Sequence, residues 1–152
     1  MHLPTYLGML EHAERTLADA FRQVAESRRD ESDIPVLARR MSAQCTAHAG
    51  RLQPVIERYG KQEDEEPERL CVSEFSGERS GGLGLLRDLH DVYVLAHFAD
   101  ITWTVIQQTA QALSNQELLD VVALCQGETA EQIRWLKTRM KATAPQALLV
   151  AR

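Results

Sequence analysis

The chain has 152 residues, of which 44% are hydrophobic and 26% charged, and it contains only 5 proline and 8 glycine residues. This composition predicts one folded domain over residues 1–152 and excludes a collagenous or largely disordered chain. An aromatic content of 5% argues against a β-sandwich or barrel, and a net charge of −5 argues against a protein that binds nucleic acid by neutralising phosphates.

No segment is typical of export or of a membrane span. The first segment carries a charge at Glu11, and no stretch approaches the roughly 18 apolar residues that cross a bilayer. The three cysteines, Cys45, Cys71 and Cys125, are an odd number, which favours reduced thiols over a disulfide framework. We therefore expect a cytoplasmic protein that contacts neither a membrane nor nucleic acid.

The first half of the chain predicts two helices joined by a short turn. The first runs from Pro4 to residues 28–29, and the second from the N-cap Asp33 to Gly60, with a kink or looser turns expected at Pro54. Their inward positions recur at steps of three and four, as on one face of a helix. These positions are Leu3, Leu7, Leu10, Glu14, Leu17, Phe21 and Val24, then Ile34, Met41, Cys45, His48, Leu52, Val55 and Tyr59.

The second half predicts two more helices after a long loop. Residues 61–82 are acidic and rich in glycine near their end, as in a solvated loop. The third helix runs from Leu83 to Leu113. The sequence Ser-Asn-Gln-Glu from Ser114 predicts a capping box that opens a fourth helix, which Pro145 ends before an apolar tail. The inward positions are Leu85, Leu89, Val92, Ala96, Ala99, Trp103, Ile106 and Ala110, then Leu118, Val121, Cys125, Glu128, Gln132 and Trp135.

The connection lengths predict an all-α four-helix bundle made of two antiparallel helix hairpins joined by a long loop. The turns within each pair are short, whereas the middle connection has about 22 residues. When extended, that connection reaches about 70 Å, and a helix of about 27 residues is only about 40 Å long. It is long enough to cross the whole bundle, although it is also able to double back.

Several polar residues stand at or beside inward positions. Glu14, His48 and Glu128 occupy such positions, and Asp100, His97 and Glu131 lie one step away from them. Counted from the turns, Glu14 pairs in height with His48, Asp100 with Glu128, and His97 with Glu131. Buried carboxylates and imidazoles are costly unless they are paired or bound to metal, and these ligand types suit iron, manganese or zinc.

In this arrangement the sequence resembles the ferritin-like superfamily. The resemblance implies a di-metal site with one Glu on each of two helices and Glu-x-x-His on the other two. Glu14 matches the Glu of the first helix, and His48 the His of the second, where Cys45 replaces the expected Glu. Asp100 takes the Glu position of the third helix, with His97 one turn earlier. On the fourth, Glu128 is followed by Glu131 where His is expected.

Three interpretations of the cluster stay open. One is a degenerate ferritin-like site for one or two metals, able to support redox chemistry or storage, with Glu14 and Glu128 as bridging ligands. The second is a metal-free polar core that fixes helix register, in a structural or interaction protein that forms a homodimer through an apolar helix flank. The third is a zinc site built on two pairs of residues three apart, Cys45 with His48 and Cys125 with Glu128.

Overall fold

A computed structural model describes residues 1–30, 33–60 and 81–150 of the chain. The described residues form four helices and no strand, which confirms the predicted helix count and all-α class. The helices are α1 (Leu3–Ser27), α2 (Ile34–Tyr59), α3 (Gly81–Ala112) and α4 (Gln116–Pro145), followed by a π-helical turn over Gln146–Val150. The predicted loop between α2 and α3 lies outside the described residues, except for its last two glycines, which begin α3.

The boundaries of α1 and α2 agree with their sequence signals. Asp33 stands at the N-cap position of α2, although its side chain does not cap the helix. Gly60 follows α2 with a φ of 82°, a left-handed conformation that glycine adopts without strain. Pro54 lies inside α2, which continues to Tyr59. This proline is exposed, so water can satisfy the carbonyl that its missing N–H leaves without a helical partner.

The cap of α4 differs from the prediction by one residue. Asn115, not Ser114, is the N-cap, and its side-chain oxygen accepts a hydrogen bond from the N–H of Leu118 at 3.1 Å. Ser114 instead turns the chain with a φ of 52°. A residue in that conformation lies outside the geometry of a capping box, in which the cap residue has an extended backbone.

The end of α4 also corrects the prediction. Pro145 does not stop the chain's helical path, because it is followed directly by the π-helical turn. Of the apolar tail residues, Ala147 is buried and the turn packs on α3 and α4. Leu148, Leu149 and Val150 are exposed, so Ala147 is the one apolar residue of the described tail that is buried against the bundle.

The inward faces of α1, α2 and α3 are those that the sequence predicts, apart from Tyr59, which is half-buried. The face of α4 is rotated by part of a turn from the prediction. Its buried residues are Leu118, Val122, Cys125, Thr129, Gln132 and Leu136, which recur at steps of four and three. Val121, Glu128 and Trp135 are therefore half-buried at the edge of that face.

Two apolar clusters define how the helices run. One joins the last turns of α1, the first turns of α2 and α3, and Leu136 of α4. The other joins the first turns of α1 and α4 to the last turns of α2 and α3. Helix α1 thus runs antiparallel to α2 and α3. Helix α4 also runs antiparallel to α2 and α3, and α1 and α4 lie diagonally opposite each other. As a result, α2 ends and α3 begins at opposite ends of the bundle.

Among the described residues, no helix combines the length and the apolar character that a membrane span requires.

Candidate metal centre

A layer of buried polar side chains separates the two apolar clusters. Glu14 of α1 and His48 of α2 have no exposed surface, and neither have Thr129 and Gln132 of α4. The layer lies near the middle of the bundle because one apolar cluster lies on each side of it. Glu14 and His48 are in direct contact within this layer, which confirms their predicted pairing in height.

The imidazole of His48 lies between two carboxylates from different helices. Its Nδ1 is 3.2 Å from Oε2 of Glu14, and its Nε2 is 3.1 Å from Oε1 of Glu128. A neutral imidazole donates from only one nitrogen, so both contacts are hydrogen bonds only when the ring is protonated. In the absence of metal, the geometry therefore favours an imidazolium that joins α1, α2 and α4.

The environment of His48 shifts its pKa in opposing directions. Burial lowers the pKa of His48, whereas the hydrogen bonds and negative charges of Glu14 and Glu128 raise it, and the net result is a raised pKa. The two carboxylates thus outweigh desolvation of the ring.

Trp103 of α3 completes the contacts of Glu14. Its indole Nε1–H donates to Oε1 of Glu14 at 2.8 Å, so the two oxygens of this carboxylate have different partners. The Trp103 ring also meets the His48 ring edge to face, with 6.3 Å between ring centroids. A buried indole N–H needs an acceptor, and here the acceptor is the carboxylate at the centre of the layer.

Cys45 lies one helical turn before His48 and adds a sulfur atom to the cluster. Its thiol is buried and donates to Oε1 of Gln132, with Sγ and oxygen 3.6 Å apart. Burial, together with the negative charge of Glu14, holds the pKa of the Cys45 thiol well above its usual value. The protein without metal therefore keeps Cys45 as a neutral thiol.

Glu14, Cys45 and His48 together could hold a metal ion. Each offers one ligand atom, and these atoms lie within 4.8 Å of one another. Ligand atoms around a tetrahedral ion are about 3.3 to 3.7 Å apart, given metal bonds of roughly 2.0 to 2.3 Å. The contact between His48 and Glu14 is already close to that spacing. Small side-chain movements would bring the sulfur of Cys45 to the same spacing from the other two ligand atoms.

The remaining predicted ligands do not join these three. Glu128 reaches His48 from the edge of the bundle, with 31% of its side chain exposed. Asp100 is half-buried and accepts from Nε2 of Gln126 at 3.3 Å. His97 and Glu131 are exposed, so the prediction that they reach inward is wrong. The reason is rotation about the helix axis: one step from the buried face is enough to turn a side chain outward.

The structure also separates the two residue pairs of the alternative zinc site. Cys125 is buried, but it packs in the second apolar cluster and not with Cys45 and His48. Burial, followed by the charge of Glu14, raises the pKa of Cys125 to about 12. Of that predicted set, only Cys45 and His48 belong to the cluster.

Two contributions were missed at the level of the sequence. The sequence places Trp103 only among the inward positions of α3, although a buried indole always has a polar N–H to satisfy, and that need is a signal for a partner. Asp88, which is buried in α3, was not singled out; its Oδ2 lies 4.0 Å from Nη2 of Arg28 at the end of α1. The signal for Asp88 was its place directly before Leu89, a residue of the predicted inward face.

Comparison of the chain with models of protein families, with curated protein sequences and with solved structures finds no match.

Proposed function

We propose that this protein binds a divalent transition metal in the middle of a bundle with ferritin-like helix order. The observation that carries the proposal is the meeting of a carboxylate, a thiol and an imidazole, all fully buried, within 4.8 Å. The carboxylate and the imidazole are costly to bury alone, and a metal ion would satisfy both while taking the thiol as a third ligand. Iron, manganese and zinc are the candidate metals for such ligands.

The helix order supports the ferritin-like part of the proposal. Every neighbouring pair of helices runs antiparallel, and the connection between α2 and α3 joins opposite ends of the bundle. Two hairpins joined by one long crossover have this arrangement, whereas a simple up-down-up-down bundle would place α1 and α3 parallel.

A test of metal binding compares the metal content and stability of matched variants. The purified, reduced protein is stripped with chelator, loaded with Zn²⁺, Fe²⁺ or Mn²⁺ in turn, desalted and subjected to elemental analysis. We expect close to one ion or more per chain for at least one metal, and a higher melting temperature with excess metal, because a ligand that binds only the folded state stabilises it.

His48→Ala is the test variant and Asp100→Asn the matched control. His48→Ala removes a ligand from the cluster and should abolish both effects. Asp100→Asn changes an acid that hydrogen-bonds Gln126 outside the cluster and should preserve both. Less than about a tenth of an ion per chain for all three metals would overturn the proposed metal binding.

A metal-free polar layer is the second candidate, and the two-sided contact of His48 favours it. An imidazolium between Glu14 and Glu128 satisfies the three groups without an ion. In this case the layer sets the register of α1, α2 and α4, a role that buried polar groups have in some bundles. A metal-free layer predicts no rise in melting temperature when metal is added in the loading experiment.

We also propose that the chain forms a homodimer through the outer face of α3. Val94, Ile101 and Val105 are 60%, 58% and 42% exposed, and they follow one another along that face. Between Val92 and Ala112 the sequence carries one charged residue, Asp100. A helix that is apolar on both sides is typically covered on both sides, and a face almost without charge does not repel a second copy of itself.

A further inference from the structure

We infer that the site takes a single four-coordinate ion of the zinc class, held by Oε2 of Glu14, Sγ of Cys45 and Nδ1 of His48. It does not take a pair of ions bridged by carboxylates. This inference rests on the proposed metal binding and specifies it further.

The two oxygens of the Glu14 carboxylate already have different partners. The indole N–H of Trp103 donates to Oε1 at 2.8 Å, while Oε2 faces His48 at 3.2 Å. A carboxylate that bridges two ions needs both oxygens as ligands. Because the buried indole N–H of Trp103 holds Oε1, Glu14 is positioned to bind through Oε2 alone.

Glu128 contacts the side of the His48 imidazole opposite to Glu14. Glu14 faces Nδ1 and Glu128 faces Nε2, and these two nitrogens point away from each other. When Nδ1 binds the ion, Nε2 carries the proton and donates it to Glu128. Metal-bound histidines commonly donate their second N–H to a carboxylate in this way, so Glu128 is a positioning residue.

The described residues offer no second group of ligands for another ion next to the first. Asp100 accepts a hydrogen bond from Gln126, and His97 and Glu131 are exposed. Within this part of the chain, Glu14, Cys45 and His48 form the one group of three potential ligands. A carboxylate-rich di-iron centre therefore does not fit this core.

The chemistry of the three ligands also favours an ion of the zinc class. Thiolate together with imidazole favours zinc over iron or manganese bound by oxygen ligands. On binding, the thiol of Cys45 and Nδ1 of the protonated His48 ring each lose a proton to solvent, which makes the affinity rise with pH. Three protein ligands leave the fourth position for water or an added ligand, the composition of catalytic zinc sites.

The experiment uses Co²⁺, which takes zinc positions and reports its coordination in its absorption spectrum. Reduced, metal-free protein is titrated with Co²⁺. We expect saturation at one ion per chain, intense visible bands of a four-coordinate ion, and a near-ultraviolet band of thiolate-to-cobalt charge transfer. Added Zn²⁺ should displace the Co²⁺ and bleach all of these bands.

The cysteine variants identify the sulfur ligand. Cys45→Ser should lose the charge-transfer band, whereas Cys125→Ser and Cys71→Ser should keep it. Saturation at two ions per chain, a weak spectrum of a six-coordinate ion, or an unchanged band in Cys45→Ser would each overturn the inference while leaving metal binding intact. The absence of binding by any metal would instead overturn the proposed function itself.

The roles of Trp103 and Glu128 are tested by Trp103→Phe and Glu128→Gln. Both should retain one Co²⁺ per chain and the charge-transfer band, because neither side chain is a ligand. The affinity should fall by about tenfold or more, as expected for outer hydrogen-bond partners, and the visible bands should shift. Loss of the charge-transfer band in Glu128→Gln, or binding of two ions by Trp103→Phe, would contradict these roles.

Discussion

Glu14 is the residue on which most of the polar layer depends. Its carboxylate accepts from Trp103 of α3 and contacts His48 of α2, and all three side chains are fully buried. The sequence pointed to Glu14 because it interrupts a face made otherwise of apolar residues. It did not indicate Trp103 as a partner, because a tryptophan at an inward position is also typical of ordinary packing.

Replacing Glu14 by Ala should lower the free energy of unfolding by about 3 kcal/mol or more, since it leaves the imidazolium of His48 without one carboxylate and the indole N–H without an acceptor. Denaturant unfolding of the metal-free protein measures the change. Asp19→Ala on the same helix removes an exposed acid paired with Arg22 and should have little effect. An unchanged midpoint for Glu14→Ala would contradict the buried role.

The charge of His48 should make the stability of the metal-free protein depend on pH. Its pKa in the folded state is raised above the ordinary value of 6.5, so folding favours the protonated ring. The resulting stabilisation is fully present below about pH 6.5 and is lost as the pH rises through the folded-state pKa. The groups that face the ring are Glu14 of α1, Glu128 of α4 and the thiol of Cys45 on α2 itself.

The measurement is the free energy of unfolding between pH 6 and pH 9, with chelator present. The wild type should lose stability across this range more steeply than His48→Gln, which lacks the titrating group. His12→Gln changes an exposed histidine of α1 and should keep the wild-type slope. If His48→Gln shows the same slope as the wild type, the His48 ring does not control the pH dependence of the free energy of unfolding.

At the scale of the helices, the start of α4 is where local sequence was most misleading. The Ser-Asn-Gln-Glu pattern fits a capping box at Ser114, but the cap is Asn115, whose amide also donates to the hydroxyl of Tyr59 at 2.7 Å. That second bond joins the first turn of α4 to the last turn of α2. The contact of Asn115 with Tyr59, 56 positions away in the chain, thus favours Asn115 over Ser114 as the cap.

The two candidates predict opposite effects of mutation. Asn115→Ala should destabilise the protein by about 1 kcal/mol or more, because both the cap and the bond to Tyr59 are lost. Ser114→Gly should be neutral or stabilising, because glycine adopts a φ of 52° without strain. Thermal unfolding of the two variants measures both changes. A destabilised Ser114→Gly with an unaffected Asn115→Ala would restore Ser114 as the cap.

At the scale of the whole molecule, the outer face of α3 is the largest departure from a simple amphipathic pattern. Its buried residues follow the predicted inward face, yet Val94, Ile101 and Val105 are exposed on the other side. Val105 also lines a groove beside the start of α1, together with Leu3 and Tyr6. A second copy of the chain would cover these exposed apolar side chains and the groove beside them.

The proposed homodimer predicts a molar mass twice that of the chain in light scattering. Ile101→Glu places a charge in the middle of the apolar stretch and should shift the protein to the mass of one chain, with little change in helix content. Val36→Glu changes a valine of α2 that is 65% exposed and should leave the dimer intact. A wild type with the mass of one chain would contradict the dimer.

The sequence by itself determined the four helices and the inward faces of the first three, because apolar residues at steps of three and four are a local property of each segment. It also identified Glu14 and His48 as a pair, since both are the same distance from one turn. Only the tertiary structure decided which other polar residues meet them. His97 and Glu131 turn outward, Asp100 pairs with Gln126, and Trp103 and Cys45 complete the layer.

The physical reason is that a side chain's position in a bundle depends on the rotation of its helix as well as on its height. Height follows from counting residues to a turn, at about 1.5 Å per residue. Rotation is set by packing against neighbouring helices, and one step along the chain turns a side chain by about 100°. The face of α4, shifted from its predicted residues to Thr129 and Leu136, is the clearest case. That shift leaves Glu128 at the rim of the polar layer, where it contacts Nε2 of His48.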